Sequence, residues 1–314
     1  MNRFGYRELT SCQNIYVRFT RKGMSYDDFQ KLPEDERNKY EDLTLDSWIY
    51  AYVDDMLAGG FETSADDVFK RLRTQWEFGS EPAPASKFLG IYQYTSENGM
   101  FWSQHVLAES LDVEPTGKRL LNQCLPKDIS TLTAKIDQGK PLDKRNHTRY
   151  RSLLGSLAFL QHTRPDLLFA ISYLSRFNSA PTDHALSALV HACRYAKVNA
   201  RYGILFPSAK GVYNGLVNNL SWCTRSFAEC DTDVEKESMV HTKHAAWHFD
   251  IVTDATFQEK STSGYFIFLN KNIIAMRSYS QRRVYNSSLK CESFACYDGL
   301  DVGKVLTSIL SEMR

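Results

Sequence analysis

The stretch Trp48-Ile49-Tyr50-Ala51-Tyr52-Val53-Asp54-Asp55-Met56-Leu57-Ala58-Gly59-Gly60 sets two adjacent carboxylates between two apolar runs. The first run is rich in aromatic and β-branched residues and reads as a strand. The second is short and ends at Gly59-Gly60. The pattern predicts a tight β-hairpin with Tyr52 to Asp55 at its tip. A hairpin that held its tip rigidly would point both carboxylates into one small volume. Like charges that close repel unless a cation lies between them. Mg²⁺ suits such a site, because it takes oxygen ligands and keeps water and substrate phosphates in its shell. Two such ions clamp the attacking and leaving oxygens of a phosphoryl transfer. An Asp-Asp pair is also an ordinary solvated turn, since Asp bonds nearby backbone N–H groups. The rest of the chain decides between these readings.

The tetrapeptide Tyr52-Val53-Asp54-Asp55 resembles the palm motif of reverse transcriptases. The string from Tyr50 to Gly60 resembles its form in copia-type retrotransposons, whose polyprotein carries a reverse transcriptase followed by a ribonuclease H domain. Further strings are similar to that family in the same order. Phe4-Gly5-Tyr6, with the strand Asn14 to Arg18, resembles the segment just ahead of the catalytic hairpin. Lys87 to Tyr94 reads as a strand, and Asn98-Gly99 as the turn into Met100-Phe101-Trp102. Its Phe88-Leu89-Gly90-Ile91 resembles the strand beside the primer terminus. Ser103 to Leu111 resembles the glutamine-led helix that opens the thumb, and is also a plain amphipathic helix. Tyr150 to Leu160, then Thr163-Arg164-Pro165-Asp166, then Leu174 to Phe177 resemble the helical connection between polymerase and ribonuclease H.

Those helices are predicted to bury Leu153, Leu154, Leu157 and Leu160, then Leu168, Ile171 and Leu174, then Leu186, Leu189, Val190 and Cys193. Pro165 suits a first helical turn, where a missing N–H costs nothing. Ser64 is placed to cap a helix that presents Val68, Phe69, Leu72 and Trp76 on one face. Residues 19–46 read as a solvated connector with some helix, and residues 112–146 as a proline-interrupted linker.

Toward the end, Phe249 to Asp254 reads as a strand ending on an acid. Ser261 to Leu269 and Ile273 to Met276 follow as an antiparallel meander. A helix runs from about Leu289 to Leu310, with a break expected at Gly299 or Gly303. This order resembles the first half of a ribonuclease H fold. The resemblance implies a first-strand Asp and a first-helix Glu as metal ligands, at Asp254 and Glu292, meeting at one sheet edge. The helix dipole alone also favours a Glu near a helix start.

Lys+Arg 38 against Asp+Glu 37 leaves the 314-residue chain nearly neutral, so nucleic-acid binding must come from local patches. Lys118, Arg119, Lys127, Arg149 and Arg151 are the candidates. No apolar run is long enough to cross a bilayer, and no amino-terminal signal is visible. Seven scattered cysteines fit a reducing, intracellular protein better than a disulfide framework. Residues 207–248 match the family poorly. Their Cys223, Cys230, His241, His244 and His248 have no defensible zinc spacing.

The fold expected is α+β: a partial reverse-transcriptase palm over 1–102, a thumb-like segment and linker over 103–146, a helical connection over 147–206, an insertion over 207–248, and a truncated ribonuclease H-like α/β domain over 249–314. By resemblance, Asp54, Asp55, Asp254 and Glu292 hold Mg²⁺. Tyr52, Phe88, Leu89, Gly90 and Gln104 contact nucleic acid. The implied partners are an RNA template, a DNA primer, an RNA–DNA hybrid and other transposon polyprotein chains, with no membrane. The implied setting is cytoplasm, within a virus-like particle, or nucleus. The upstream palm Asp finds no match, because Asp27, Asp28, Asp42 and Asp46 do not read as a palm strand, and the third ribonuclease H Asp is expected on a strand after the helix with which this sequence stops. Weak or absent catalysis is therefore expected. The alternatives are a non-catalytic nucleic-acid-binding remnant and an unstable product without a role.

Overall fold

The computed structural model describes residues 4–37, 43–61, 63–81, 83–114, 122–126, 128–207, 249–257, 261–270 and 272–313. The chain is mixed α and β, with three antiparallel sheets. It divides into two compact units, residues 1–89 with 301–314, and residues 90–300.

The first unit contains β1 (Arg7–Glu8), β2 (Ile15–Arg21), α1 (Tyr26–Gln30), α2 (Glu34–Arg37), β3 (Leu43–Tyr52), β4 (Asp55–Gly60), α3 (Ala65–Leu72) and β5 (Lys87–Phe88). Its sheet runs β1-β2-β3-β4, every pair antiparallel. Helix α3 begins where the Ser64 side chain accepts from the Asp67 N–H. It buries Val68 and Leu72 against Tyr6 and Ile49. At the other end of the helix Arg71 reaches Asp27 through two hydrogen bonds of 2.8 and 2.5 Å. That guanidinium holds the Asp27 carboxyl below its usual range.

The segment read as a solvated connector is structural. Strand β2 runs on to Arg21, β3 starts at Leu43, and Phe29 is buried between them in sequence. The reason is a charge pair that looks polar in the sequence. Arg18 on β2 donates from Nε to Asp46 Oδ2 at 2.7 Å, and both side chains are fully buried. The pairing register skips Asp46, passing from Arg18 opposite Ser47 to Phe19 opposite Leu45. Asp46 is thus the extra residue of a β-bulge, a device that re-aims a side chain. Its carboxylate also accepts from Ser47 Oγ at 2.9 Å and Thr63 Oγ1 at 2.6 Å. The Arg18 guanidinium lies over the rings of Tyr6 and Tyr26 at 4.7 and 4.3 Å.

The second unit contains β6 (Ile91–Ser96), β7 (Gly99–Ser103), α4 (His105–Ser110), α5 (Ile129–Asp137), α6 (Lys144–Phe159), α7 (Leu168–Ser175), α8 (Asp183–Val198), β8 (Ile204–Pro207), β9 (Phe249–Ala255), β10 (Thr262–Leu269) and β11 (Asn272–Ser280). Helix α9 (Ser288–Glu312) follows, and its residues to Leu300 belong to this unit. Strands β6, β7 and β8 pair in that order, and a separate sheet runs β11-β10-β9.

The helices α5 to α8 enclose the largest apolar core, where Leu153, Leu157, Leu160, Leu174, Leu189 and Cys193 are buried as their spacing predicts. The supposed linker contributes to this core. Asp128 caps α5 by accepting from the Thr131 N–H, and Ile136 is buried. The string Thr163-Arg164-Pro165-Asp166 acts as a rivet. Arg164 grips Asp166 through bonds of 2.9 and 2.7 Å and donates to the Asn199 carbonyl past the end of α8 at 2.9 Å. Tyr195 adds a bond to Asp166 at 2.9 Å. Pro165 opens a 3₁₀ turn that leads into α7.

Three boundaries differ from the sequence reading. The strand expected over 87–94 breaks at Leu89 and Gly90, whose φ values are +48° and +77°. The turn between β6 and β7 centres on Glu97 and Asn98, because Ser96 pairs with Gly99. Helix α9 is unbroken at Gly299, where a Cβ would lie 2.8 Å from Thr253 Cγ2. That glycine is there for close packing on β9, which outweighs its helix cost of about 1 kcal/mol.

Removing one partner of a buried ion pair strands the other. We predict that Asp46→Ala destabilises the first unit by about 3–5 kcal/mol in urea unfolding. Asp28→Ala, which breaks an exposed pair with Lys31, should shift the midpoint far less. Equal small shifts in both would contradict the role given to Asp46.

Candidate functional site

Strands β3 and β4 form the hairpin that the sequence predicts. Tyr52 pairs with Asp55, so Val53 and Asp54 are the two central turn residues. Val53 has φ +50° and is 91% exposed. A positive φ at the first central position alone belongs to turns that favour glycine there. For a β-branched residue it is a true outlier. Strain of this kind clusters at functional sites.

The two glycines at the far end of β4 have a packing role. A Cβ on Gly59 would lie 2.5 Å from the Trp48 ring opposite it, and one on Gly60 would lie 1.7 Å from the Thr63 carbonyl. Gly59 therefore leaves room for the Trp48 ring, and Gly60 for the turn of the chain toward α3. The hairpin is held at its base, and its tip projects. Tyr52, Val53, Asp54 and Asp55 are all exposed, in contrast to the enclosed volume expected from the sequence.

Asp54 and Asp55 present oxygen donors to open solvent. Such a pair fits Mg²⁺, which is commonly held by one or two carboxylates together with waters and substrate phosphates. Among the described residues no group of three or more His, Cys, Asp or Glu comes together to hold a metal ion. Asp46 does not join the pair. It lies eight residues before Asp54, roughly 25 Å away along a strand at about 3.3 Å per residue, and Arg18 already neutralises it.

Aromatic side chains line up beneath the tip. Tyr50 and Tyr52 stand on one face of β3 with ring centroids 6.4 Å apart, and Phe88 meets Tyr50 edge-on at 5.8 Å. The structure thus brings Tyr52 and Phe88 to the same aromatic row, through a residue the sequence reading had not singled out. Alternation at i and i+2 was the signal for it.

Gln104 is placed differently. It sits at the start of α4 and is 2% exposed. Its Oε1 accepts from Thr163 Oγ1 at 3.0 Å, while its Nε2 is buried without a hydrogen-bond partner among the described residues. As folded, it ties α4 to the helical core and does not face solvent.

Asp254 and Glu292 line separate hollows. Glu292 borders one of about 530 Å³ with Ser293, Cys296, Tyr297 and Leu300. Asp254 borders one of about 270 Å³ with Phe169, Val252 and Arg277. Thr253 lines both. Alternation along β9 accounts for the split. Ile251 and Thr253 pack under Gly299 of α9, while Val252 and Asp254 are exposed on the other face. Lys118, Arg119 and Lys127, and the cysteines and histidines of 207–248, lie outside the described residues.

Comparison with curated proteins points to a retroelement origin. The chain is 25% identical over 274 residues to the retrovirus-related Pol polyprotein from transposon RE1 of Arabidopsis thaliana, covering 85% of this chain and 16% of that protein. The polyprotein from transposon RE2 of the same plant is likewise 25% identical, over 271 residues, with 85% and 16% covered. An uncharacterized mitochondrial protein of Arabidopsis thaliana is 25% identical over 253 residues, covering 78% of this chain and 88% of that one. No family model and no solved structure matches the chain. The chain is a homologue of the Pol polyproteins of copia-type retrotransposons. It spans 16% of the length of the two Pol polyproteins it matches.

Strain of about 1–3 kcal/mol at Val53 exceeds the roughly 0.5–1 kcal/mol entropic cost of glycine. Val53→Gly is therefore predicted to raise stability by about 1 kcal/mol in denaturant unfolding. An unchanged or lower stability would show that the turn carries no strain.

Proposed function

We propose that this chain is a segment of a retrotransposon RNA-directed DNA polymerase, with the β3–β4 hairpin as its palm motif. The observation that carries this reading is the exposed Asp54-Asp55 pair on a turn fixed by a buried framework, above the row Tyr52, Tyr50 and Phe88. In this reading residues 1–102 are palm-like, 103–146 thumb-like and 147–206 the helical connection. Asp54 and Asp55 bind Mg²⁺ jointly with substrate phosphates, and Tyr52, Phe88 and the Leu89–Gly90 turn border the primer end. A bound ion would supply charge neutralisation at the phosphates of the incoming nucleotide, where the primer's 3′-hydroxyl attacks and pyrophosphate leaves. The side chains of this chain orient that ion and stack on the primer end.

The donor set is small. Two carboxylates without a third beside them, among the described residues, hold Mg²⁺ weakly until phosphates complete the shell. Groups that act as a unit lose most of their effect when one is missing. Slow or absent polymerisation follows, with nucleic-acid binding retained. Residues 249–314 are proposed as a ribonuclease H-like part, on the order of β9, β10, β11 and α9. With Asp254 and Glu292 bordering different hollows, a shared ion is not assigned to them.

The test is binding and extension of a DNA primer on an RNA template, with and without Mg²⁺, in wild type and in Asp54→Asn and Asp55→Asn. The expected result is extension near background in all three. Mg²⁺ should tighten primer–template binding in wild type alone. Rapid extension abolished by Asp54→Asn would overturn the weak-catalysis part. Tightening by Mg²⁺ that survives both substitutions would overturn the site.

A further inference from the structure

The loop between β1 and β2 is gripped by a residue some 300 positions away in sequence. Glu312, in the last turn of α9, sets both carboxylate oxygens on consecutive backbone N–H groups of that loop. Thr10 N–H donates to Oε2 at 2.6 Å, and Ser11 N–H donates to Oε1 at 2.9 Å. Arg7 on β1 completes the contact, donating from Nη2 to the Glu312 carbonyl at 2.9 Å. All four residues belong to the first unit.

Hydrogen bonds to an ionised acceptor are roughly twice as strong as neutral ones. The contacts with Ser11 and Thr10, and the Arg7 charge, hold the Glu312 carboxyl below its usual range. Among the described residues, every hydrogen bond that residues 301–313 make beyond α9 itself belongs to Glu312. The polar attachment of the helix end to the loop is therefore concentrated in one residue.

The loop leads straight to the hairpin. It runs from Thr10 to Asn14, and the Leu9 N–H closes it by donating to the Ile15 carbonyl at 2.8 Å. Asn14 has φ +67°, a conformation that Asn adopts more readily than most residues. Its N–H donates to Glu8 Oε1 at 2.7 Å. Its carbonyl accepts from the Ala51 N–H at 3.0 Å. That bond carries the β2–β3 ladder one step beyond the pair Ile15 and Tyr50. Ala51 pairs on its other side with Met56, next to the closing pair Tyr52 and Asp55. The Asn14 carbonyl is thus the last support that β3 receives from this side, among the described residues, before the tip.

We propose that the last turn of α9 is a releasable strap on the hairpin. Glu312 is its positioning residue: it fixes the loop, the loop keeps the Asn14 carbonyl on the Ala51 N–H, and that bond limits opening of the turn that carries Asp54 and Asp55. Coupling of this kind travels through contiguous hydrogen bonds and main chain. Release of one carboxylate loosens the loop, and the tip with it. The strap acts on the backbone and does not rest on what the tip binds.

The test is backbone amide exchange in the isotopically labelled full chain, followed by NMR in wild type, Glu312→Ala, Glu312→Gln and Ser311→Ala. In Glu312→Ala the Thr10 and Ser11 amides should exchange about tenfold faster, the scale of one hydrogen bond to a charged group. The Ala51 amide should exchange about threefold faster, as the loop opens locally. Glu312→Gln keeps the shape and loses the charge, so its rates should lie between. Ser311→Ala, whose hydroxyl bonds only within α9, should match wild type. The amides of Val17 and Ile49, fully buried in the first unit, should be unchanged, which separates release of the strap from a general loss of stability. Unchanged exchange at Thr10 and Ser11 in Glu312→Ala would overturn the strap. Faster exchange there with Ala51 unchanged would overturn its reach to the tip, and equal acceleration at Val17 and Ile49 would overturn its local action.

Discussion

The first unit depends on one pair of charges removed from water, Arg18 and Asp46. Burying either alone would cost several kcal/mol. Together, with Ser47 and Thr63 on the carboxylate and two tyrosine rings on the guanidinium, they are nearly satisfied. The pair selects one register for β2 on β3. A slip by one residue would turn Arg18 to the other face and leave Asp46 buried without its cation. Once β3 is fixed, its hairpin partner β4 and the tip at Val53-Asp54 are fixed with it. The placement of the candidate metal ligands is therefore decided at the opposite end of the strand that carries them.

The second unit uses the same device in a helical setting. Arg164 and Asp166 join the turn before α7 to the end of α8, and Thr163 reaches Gln104 at the start of α4. The four-residue string Thr163-Arg164-Pro165-Asp166 is thus a structural joint. Its polar residues satisfy one another and nearby carbonyls in the interior, where unpaired groups are costly.

How much of this was legible in the sequence depended on the range of each interaction. The hairpin, the helix cap at Ser64 and the apolar faces of α6 to α8 are local patterns, and they were read correctly, whereas Trp76, expected on the face of Val68 and Leu72, lies past the end of α3 and is exposed. Arg18 and Asp46 lie 28 residues apart, and only their pairing makes a buried strand from what reads as a charged connector. An arginine inside the apolar run Ile15 to Phe19 was the available hint. Gly299 misled for a related reason. Its helix cost is a local property, whereas its value lies in contact with Thr253 on a distant strand. Of the candidate site, the sequence pattern held the hairpin that carries Asp54 and Asp55 at its tip, while the exposure of the tip, the burial of Gln104 and the placing of Asp254 and Glu292 along different hollows are set by packing that no motif records.

The central claim is that Asp54 and Asp55, set on a turn by a buried framework, form a weak divalent-cation site. The most direct measurement is titration of the isotopically labelled full chain with Mn²⁺, a paramagnetic stand-in for Mg²⁺, watching amide signals by NMR. The account predicts that signals of residues 52–56 broaden first, and that Asp54→Asn abolishes this preference while leaving the spectrum folded. Broadening that begins elsewhere in the first unit, or that persists unchanged in Asp54→Asn, would contradict it.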